Sequence, residues 1–248
     1  MPLDQAVLEH QVVGGVPAEE GAAPQLDVIV VAARRETVSS FLDPLRRAGL
    51  EPVGIDLSAF AMIRALAGVG AGDSSTDMAP PAERPAATVL YCNVGDVTNL
   101  AVARDRACLF TRVSHAGLEP AIARLSTARG LDAEGASQWL GHVGLEQPLE
   151  AIEGDPETVA EARQSLEAGV SALIDELRLS LDWYGAQEAA VPVEKIVLCG
   201  PGSAIPGLAA QMEGLGLPIA VARPPALDGL DAASAARLTL PYGLALES

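Results

Sequence analysis

Lys195-Ile-Val-Leu-Cys-Gly-Pro-Gly-Ser-Ala-Ile-Pro-Gly-Leu208 carries a short apolar, strand-like run into Gly-Pro-Gly-Ser and on toward a helix. A strand that ends on glycines lets a ligand approach bare backbone, and a helix starting just beyond offers unpaired N–H groups to an anion. The same residues also suit a tight strand-to-helix connection that binds nothing, because glycine-rich turns are ordinary loop chemistry. What the rest of the chain places around this turn decides between the two.

Before the turn, Asp155-Pro156 reads as the N-cap and first-turn proline of a long helix. Leu166, Val170, Leu173, Leu177, Leu181 and Tyr184 mark one face of it, with Arg163, Asp175, Arg178 and Asp182 opposite. After the turn, the pattern predicts a helix over Pro206–Glu213, a strand over Pro218–Ala222, and an Ala-rich helix from near Asp231 that Pro241 interrupts. Further upstream, Thr88–Cys92, Thr98–Arg104 and Ala107–Val113 read as an antiparallel meander turning at Asn93–Asp96 and Asp105-Arg106. Helices are expected to follow at Leu118–Thr127 and Ala133–His142.

Residues 69–86, rich in Gly, Ser, Asp and Pro and without a period, read as a linker loop. In front of it the sequence predicts strands at 7–14, 27–33 and Glu51–Asp56. Between the last two lies a helix with Val38, Phe41, Leu42 and Leu45 on one face, bent at Pro44 and stopped at Gly49; a second helix spans Ser58–Leu66. The expected organisation is therefore a small α/β unit at 1–68, the linker, and a second lobe at 87–248 with a helical insertion at about 115–190.

Composition narrows the chemistry. The 248 residues are 49% hydrophobic but only 3% aromatic, so the core is built from Ala, Val, Leu and Ile. The formal net charge is −17 and Lys195 is the single lysine, a field that repels nucleic acid and anionic lipid. No GxxxxGK[ST] motif occurs, so a bound phosphate would rest on backbone N–H groups and a metal ion rather than on a lysine. Cys92, Cys108 and Cys199 form no CxxC pair and share no ligand spacing with His10, His115 or His142, which argues against a disulfide framework or a zinc site. With no signal-peptide pattern and no apolar run of spanning length, the reading expects a soluble, cytoplasmic protein.

Four stretches resemble the PilM-type proteins of type IV pilus assembly, relatives of the cell-division protein FtsA in the actin/Hsp70 superfamily. They are Ala32-Ala-Arg with Ala48-Gly-Leu-Glu-Pro-Val-Gly-Ile-Asp56 and Ala59-Phe-Ala; Asn93-Val-Gly with Thr98-Asn-Leu-Ala-Val and Leu109-Phe-Thr-Arg112; Glu176-Leu-Arg-Leu-Ser180-Leu-Asp-Trp-Tyr184; and Leu198 to Leu208 with Gly243-Leu-Ala-Leu. The resemblance covers almost the whole chain. It implies an α/β, actin-like (ribonuclease H-like) ATPase-type fold, present in part, with a small α/β subdomain and a helical insertion. It also implies that the family's first subdomain, with its first phosphate loop, is absent from this chain, which would cost a bound nucleotide half of its phosphate contacts.

By the same resemblance Asn93, Val94, Gly95, Asp96 and Thr98 are the phosphate-binding residues of an ATP/ADP site with Mg²⁺. Gly200, Pro201, Gly202 and Ser203 are its adenosine turn, with Glu176 and Arg178 facing ribose and adenine. Two helical residues two apart do not share a face, so at most one of that pair reaches the nucleotide; a solvated helix face is the alternative for both. Asn93 stands where many relatives have Asp and is a poorer Mg²⁺ ligand and no base, and Pro201 removes one N–H donor. These departures imply weak binding without efficient hydrolysis.

The implied function is an adaptor that docks the N-terminal cytoplasmic tail of PilN and through it the inner-membrane pilus platform. The resemblance also implies that nucleotide, where bound, sets its conformation. The implied location is cytoplasmic, peripheral to the membrane through that partner; self-association is a further implied property, opposed by the −17 charge at low salt. Alternatives left open are an active ATPase or sugar-kinase-like phosphotransferase of the same superfamily, and a degenerate domain that keeps the fold and no ligand.

Overall fold

The computed structural model describes residues 2–16, 25–67, 69 and 87–246. In the larger part, β3 (Thr88–Val94), β4 (Thr98–Arg104) and β5 (Ala107–Ser114) form the antiparallel meander the sequence predicts. β6 (Lys195–Cys199) adds to β3 in parallel and β7 (Ile219–Val221) adds to β6, giving the order β5-β4-β3-β6-β7. β3 is buried along its whole length and β6 almost so, which is why both are near-continuous apolar runs rather than alternating ones.

One sheet face packs against α3 (Glu119–Arg129), α4 (Ala133–Val143) and the long α5 (Pro156–Gly185). There Leu90, Leu100, Ile196 and Leu198 meet Leu125, Leu140, Leu166, Leu173 and Leu177 in one core. The opposite face carries Val89, Tyr91, Ala101 and Val197 against Met62, Ile63 and Leu66 of α2 (Ser58–Leu66). α2 in turn packs on α7 (Ala232–Ala245). α5 starts where the sequence places it: the Asp155 carboxylate accepts from the Thr158 N–H (3.0 Å) and hydroxyl (2.7 Å), which holds the Asp155 carboxyl below its ordinary pKa.

The N-terminal part is a hairpin, β1 (Ala6–Val16) and β2 (Gln25–Arg34), followed by α1 (Arg35–Arg47). α1 ends as expected at Gly49, whose φ of +79° closes a C-terminal turn in which Leu50 N–H donates to the Leu45 carbonyl at 3.0 Å. Yet α1 buries no residue: its stripe of Val38, Phe41, Leu42 and Leu45 is not covered by the described residues.

Several expectations need correction. Glu51–Asp56 is not a strand; among the described residues no strand pairs with it, and Val53 is fully exposed, so its alternation joins no described sheet. Pro241 does not interrupt α7, which runs through it, because packing against α2 outweighs one lost hydrogen bond. Pro44 likewise lies inside α1. The Pro206–Glu213 helix shrinks to α6 (Leu208–Gln211), preceded by a 3-10 turn at Pro201–Ala204. α2, grouped by the sequence with the small unit, packs into the core of the second lobe. Of the linker expected at 69–86, only Val69 is among the described residues.

Candidate functional site

β3 and β6 run parallel and end side by side, so the segments that follow them meet at one edge of the sheet. β3 extends two residues further than the sequence suggests: Asn93 and Val94 are strand residues paired with Asn99 and Thr98, and the turn is confined to residues 95–97. Asn93 also lies in register with Cys199 of β6. Its carboxamide is buried, and its Oδ1 accepts from the Cys199 thiol at 3.7 Å. Burial pushes the Cys199 thiol well above its usual pKa, so it stays a neutral donor.

The quoted turn closes against this strand end. Gly200 has φ +80°, and a Cβ there would overlap Asn93 Oδ1 and lie 2.9 Å from the Val94 carbonyl oxygen. At Gly202 a Cβ would overlap the Val94 side chain, with Val94 Cβ at 2.8 Å. The close approach that demands bare backbone at both glycines is therefore that of β3 itself. Nor does a helix N-terminus face an open site here, because the Ser203 and Ile205 amides donate to the Gly200 and Gly202 carbonyls at 2.9 and 3.1 Å. Ser203 also donates its hydroxyl to the Gly200 carbonyl at 2.7 Å, and Pro201 has no N–H to offer.

The turn at 95–97 keeps more unused polarity. Gly95 N–H donates to the Val97 carbonyl at 3.2 Å, which tightens the loop. The Gly95 and Asp96 carbonyls point away from the tip and accept from Leu118 N–H (2.8 Å) and Glu119 N–H (3.3 Å), so the loop caps α3. Among the described residues the amides of Asp96 and Val97 have no protein acceptor. The Thr98 hydroxyl is buried with no partner. Asp96 is exposed and places the loop's only carboxylate at its tip.

Sequence reasoning missed Gly117. A Cβ at this position would overlap the Asp96 carbonyl oxygen and sit 2.6 Å from that of Gly95. Its signal was a glycine at the approach to α3, one residue before the amides that the loop needs.

Glu176 and Arg178 are placed elsewhere. Glu176 pairs with Arg112 of β5 at 2.5 Å. Arg178 donates to Asp175 at 3.2 Å and lines a cleft of about 350 Å³ between α5 and α6, with Glu167, Ile174 and Gln211. They lie on different sides of α5, as their spacing requires. Among the described residues no hydrogen bond or ion pair joins either one to 93–98 or 200–203. No group of three or more His, Cys, Asp or Glu side chains suited to a metal ion occurs among the described residues. No described helix is long and apolar enough to cross a membrane.

Comparison with solved structures gives the architecture its context. A PilM-PilN type IV pilus biogenesis complex matches with a TM-score of 0.72 at 22% identity, over 98% of this chain and 66% of that chain. MreB5 of Spiroplasma citri bound to ADP matches at 0.54 and 14%, over 86% of this chain and 64% of its own. The ethanolamine utilization protein EutJ from Carboxydothermus hydrogenoformans matches at 0.53 and 14%, over 87% and 62%. The chain thus spans about two thirds of the length of these structures, and its fold is the actin-like fold, in part. None of the curated proteins matches. The sequence itself matches the family described as Type IV pilus assembly protein PilM over residues 1–229, so the chain belongs to the PilM family of type IV pilus assembly proteins.

Proposed function

We propose that this chain is a cytoplasmic, nucleotide-binding adaptor of type IV pilus biogenesis that docks the N-terminal tail of PilN. The observation that carries the nucleotide half is the turn at 95–97. Two amides without a protein acceptor among the described residues, those of Asp96 and Val97, suit the oxygens of a terminal phosphate. These residues fit ADP or ATP phosphate; they do not fit a metal cage of the protein's own, and Mg²⁺ would enter as the counter-ion of the phosphates. Asn93, turned inward to Cys199, offers no general base, so the reading is binding without efficient turnover.

Asp96 sets the strength of that binding. A carboxylate about 4 Å from a phosphate costs about 1 kcal/mol even in water, or roughly five-fold in affinity. Asp96→Asn should therefore tighten ADP binding about five-fold in a calorimetric titration. Weaker binding in the variant would instead make Asp96 a ligand of the nucleotide's Mg²⁺.

The adaptor half rests on the N-terminal unit. Leu8, Val12, Val28, Val30, Phe41 and Ile55 are all exposed there, an apolar surface that a folded protein ordinarily covers with a partner. The PilM relative was solved as a complex with PilN, and PilN is the partner proposed to cover this unit. Titrating the chain with a peptide of the PilN tail should give saturable binding that Ile55→Asp with Val53→Asp weakens at least ten-fold. No binding, or binding indifferent to these substitutions, would sink the docking reading.

A further inference from the structure

We infer that Arg64 is a joint through which the orientation of the N-terminal unit reaches the turn at Pro201–Ala204. Arg64 lies on α2 with its side chain 17% exposed, and its Nη2 pairs with Asp56, at the end of the irregular segment that precedes α2. The other carboxylate oxygen of Asp56 accepts from Leu57 N–H at 2.7 Å. Together these bonds fix the angle at which residues 48–57 leave α2. Residues 48–50 are bonded back to α1, but from Glu51 to Asp56 no backbone hydrogen bond among the described residues holds the segment's course.

The same guanidinium acts in the other direction. Nε and Nη2 donate to the Gly243 carbonyl at 3.2 and 3.0 Å. Gly243 lies in the last turn of α7, where carbonyls have no partner within the helix, and a cation there is favoured by the helix dipole. α7 packs against the 3-10 turn Pro201–Ala204, while α2 packs on β3 and β4, which flank the turn at 95–97. A single, mostly buried side chain thus holds both the root of the N-terminal unit and the helix behind the glycine turn. A buried charge that loses its partner is poorly solvated, so movement of Asp56 forces the guanidinium to readjust on Gly243.

The effect on ligand rests on reading 95–97 as the nucleotide site, with 200–203 packed behind the end of β3 that carries that turn; the mechanical link does not. Hydrogen–deuterium exchange of the full chain separates them. Asp56→Asn leaves Arg64 and Gly243 in place, and should raise exchange several-fold in 48–57, in 201–204 and in the last two turns of α7, with β3 and β4 unchanged. Arg64→Lys, with one ammonium for two acceptors, should reproduce this more strongly. Exchange confined to 48–57 in Asp56→Asn would overturn the joint. In the same variant MgADP affinity should fall three-fold or more, and an unchanged affinity would overturn the coupling to the site. A wild-type chain that binds no MgADP would remove the nucleotide reading, while the exchange pattern would still decide whether Arg64 is a joint.

Discussion

Replacing Gly243 with alanine is expected to destabilise the chain by about 3 kcal/mol, lowering the thermal midpoint by about 2–4 °C for each kcal/mol lost. Helix propensity alone argues the opposite, since alanine in a helix is favoured over glycine by about 1 kcal/mol. Packing decides the sign. A Cβ at 243 would overlap the Ala61 carbonyl oxygen and stand 2.6 Å from its carbon and 3.1 Å from Ala65 Cβ. The first two are backbone atoms of α2 with no flexible end to swing aside. α2 cannot retreat either, because Ala61, Met62 and Leu66 have zero exposure in the core beneath it. Gly141 is the control: nothing lies within 4 Å of its Cβ direction, so Gly141→Ala should be neutral or stabilising by up to about 1 kcal/mol. A Gly243→Ala chain that melts higher than wild type would mean that α2 and α7 do not pack this closely.

The second large effect belongs to Gly117→Ala. The added methyl would enter the carbonyls of Gly95 and Asp96, the two acceptors that cap α3 through Leu118 and Glu119. Displacing the turn strands two amides at the start of α3, each at a cost of about 1–3 kcal/mol if left unsatisfied in the interior. It also moves the Asp96 and Val97 amides off their present aim. Nucleotide affinity should fall more than ten-fold, together with the melting temperature. Affinity kept at wild-type level in a variant that melts lower would separate α3 capping from the ligand and place the phosphate elsewhere.

Features governed by local rules were legible in the sequence. α5 declares itself through Asp155, Pro156 and an apolar stripe, of which Leu166, Val170, Leu173, Leu177 and Tyr184 are buried. The meander is legible because its turns are short and β3 carries an unbroken apolar run. What failed depended on a distant partner. Glu51–Asp56 alternates like a strand but has no neighbouring strand among the described residues to complete it. Arg163, read as part of a polar face, is instead folded inward to donate to the Val143 and Gln147 carbonyls at 3.3 and 2.6 Å, and thereby ties α5 to the loop after α4. Pro241 looked like a helix breaker because the packing that offsets it comes from α2, more than 170 residues earlier in the chain.

The site divides along the same line. Asn93–Asp96 was expected as a turn, but Asn93 and Val94 belong to β3 and only 95–97 turns; the structure sets Gly200–Ser203 against the end of that strand. The reason for the bare backbone at 200 and 202 was not legible. It lies in Asn93 and Val94, more than 100 residues upstream, and glycine in a sequence does not say what approaches it. Gly117 escaped notice for the same reason. Arg178 pairs with Asp175, three residues before it on the face the sequence already grouped, whereas the partner of Glu176, Arg112, emerges only once β5 is placed beside α5.

The most direct test of the account is a calorimetric titration of the chain with MgADP, alongside Gly117→Ala. The account predicts saturable, weak binding to the wild-type chain, lost in the variant. No heat of binding at millimolar MgADP would contradict it, leaving the turn at 95–97 as a cap for α3 and the chain as a scaffold that works through its partner surface alone.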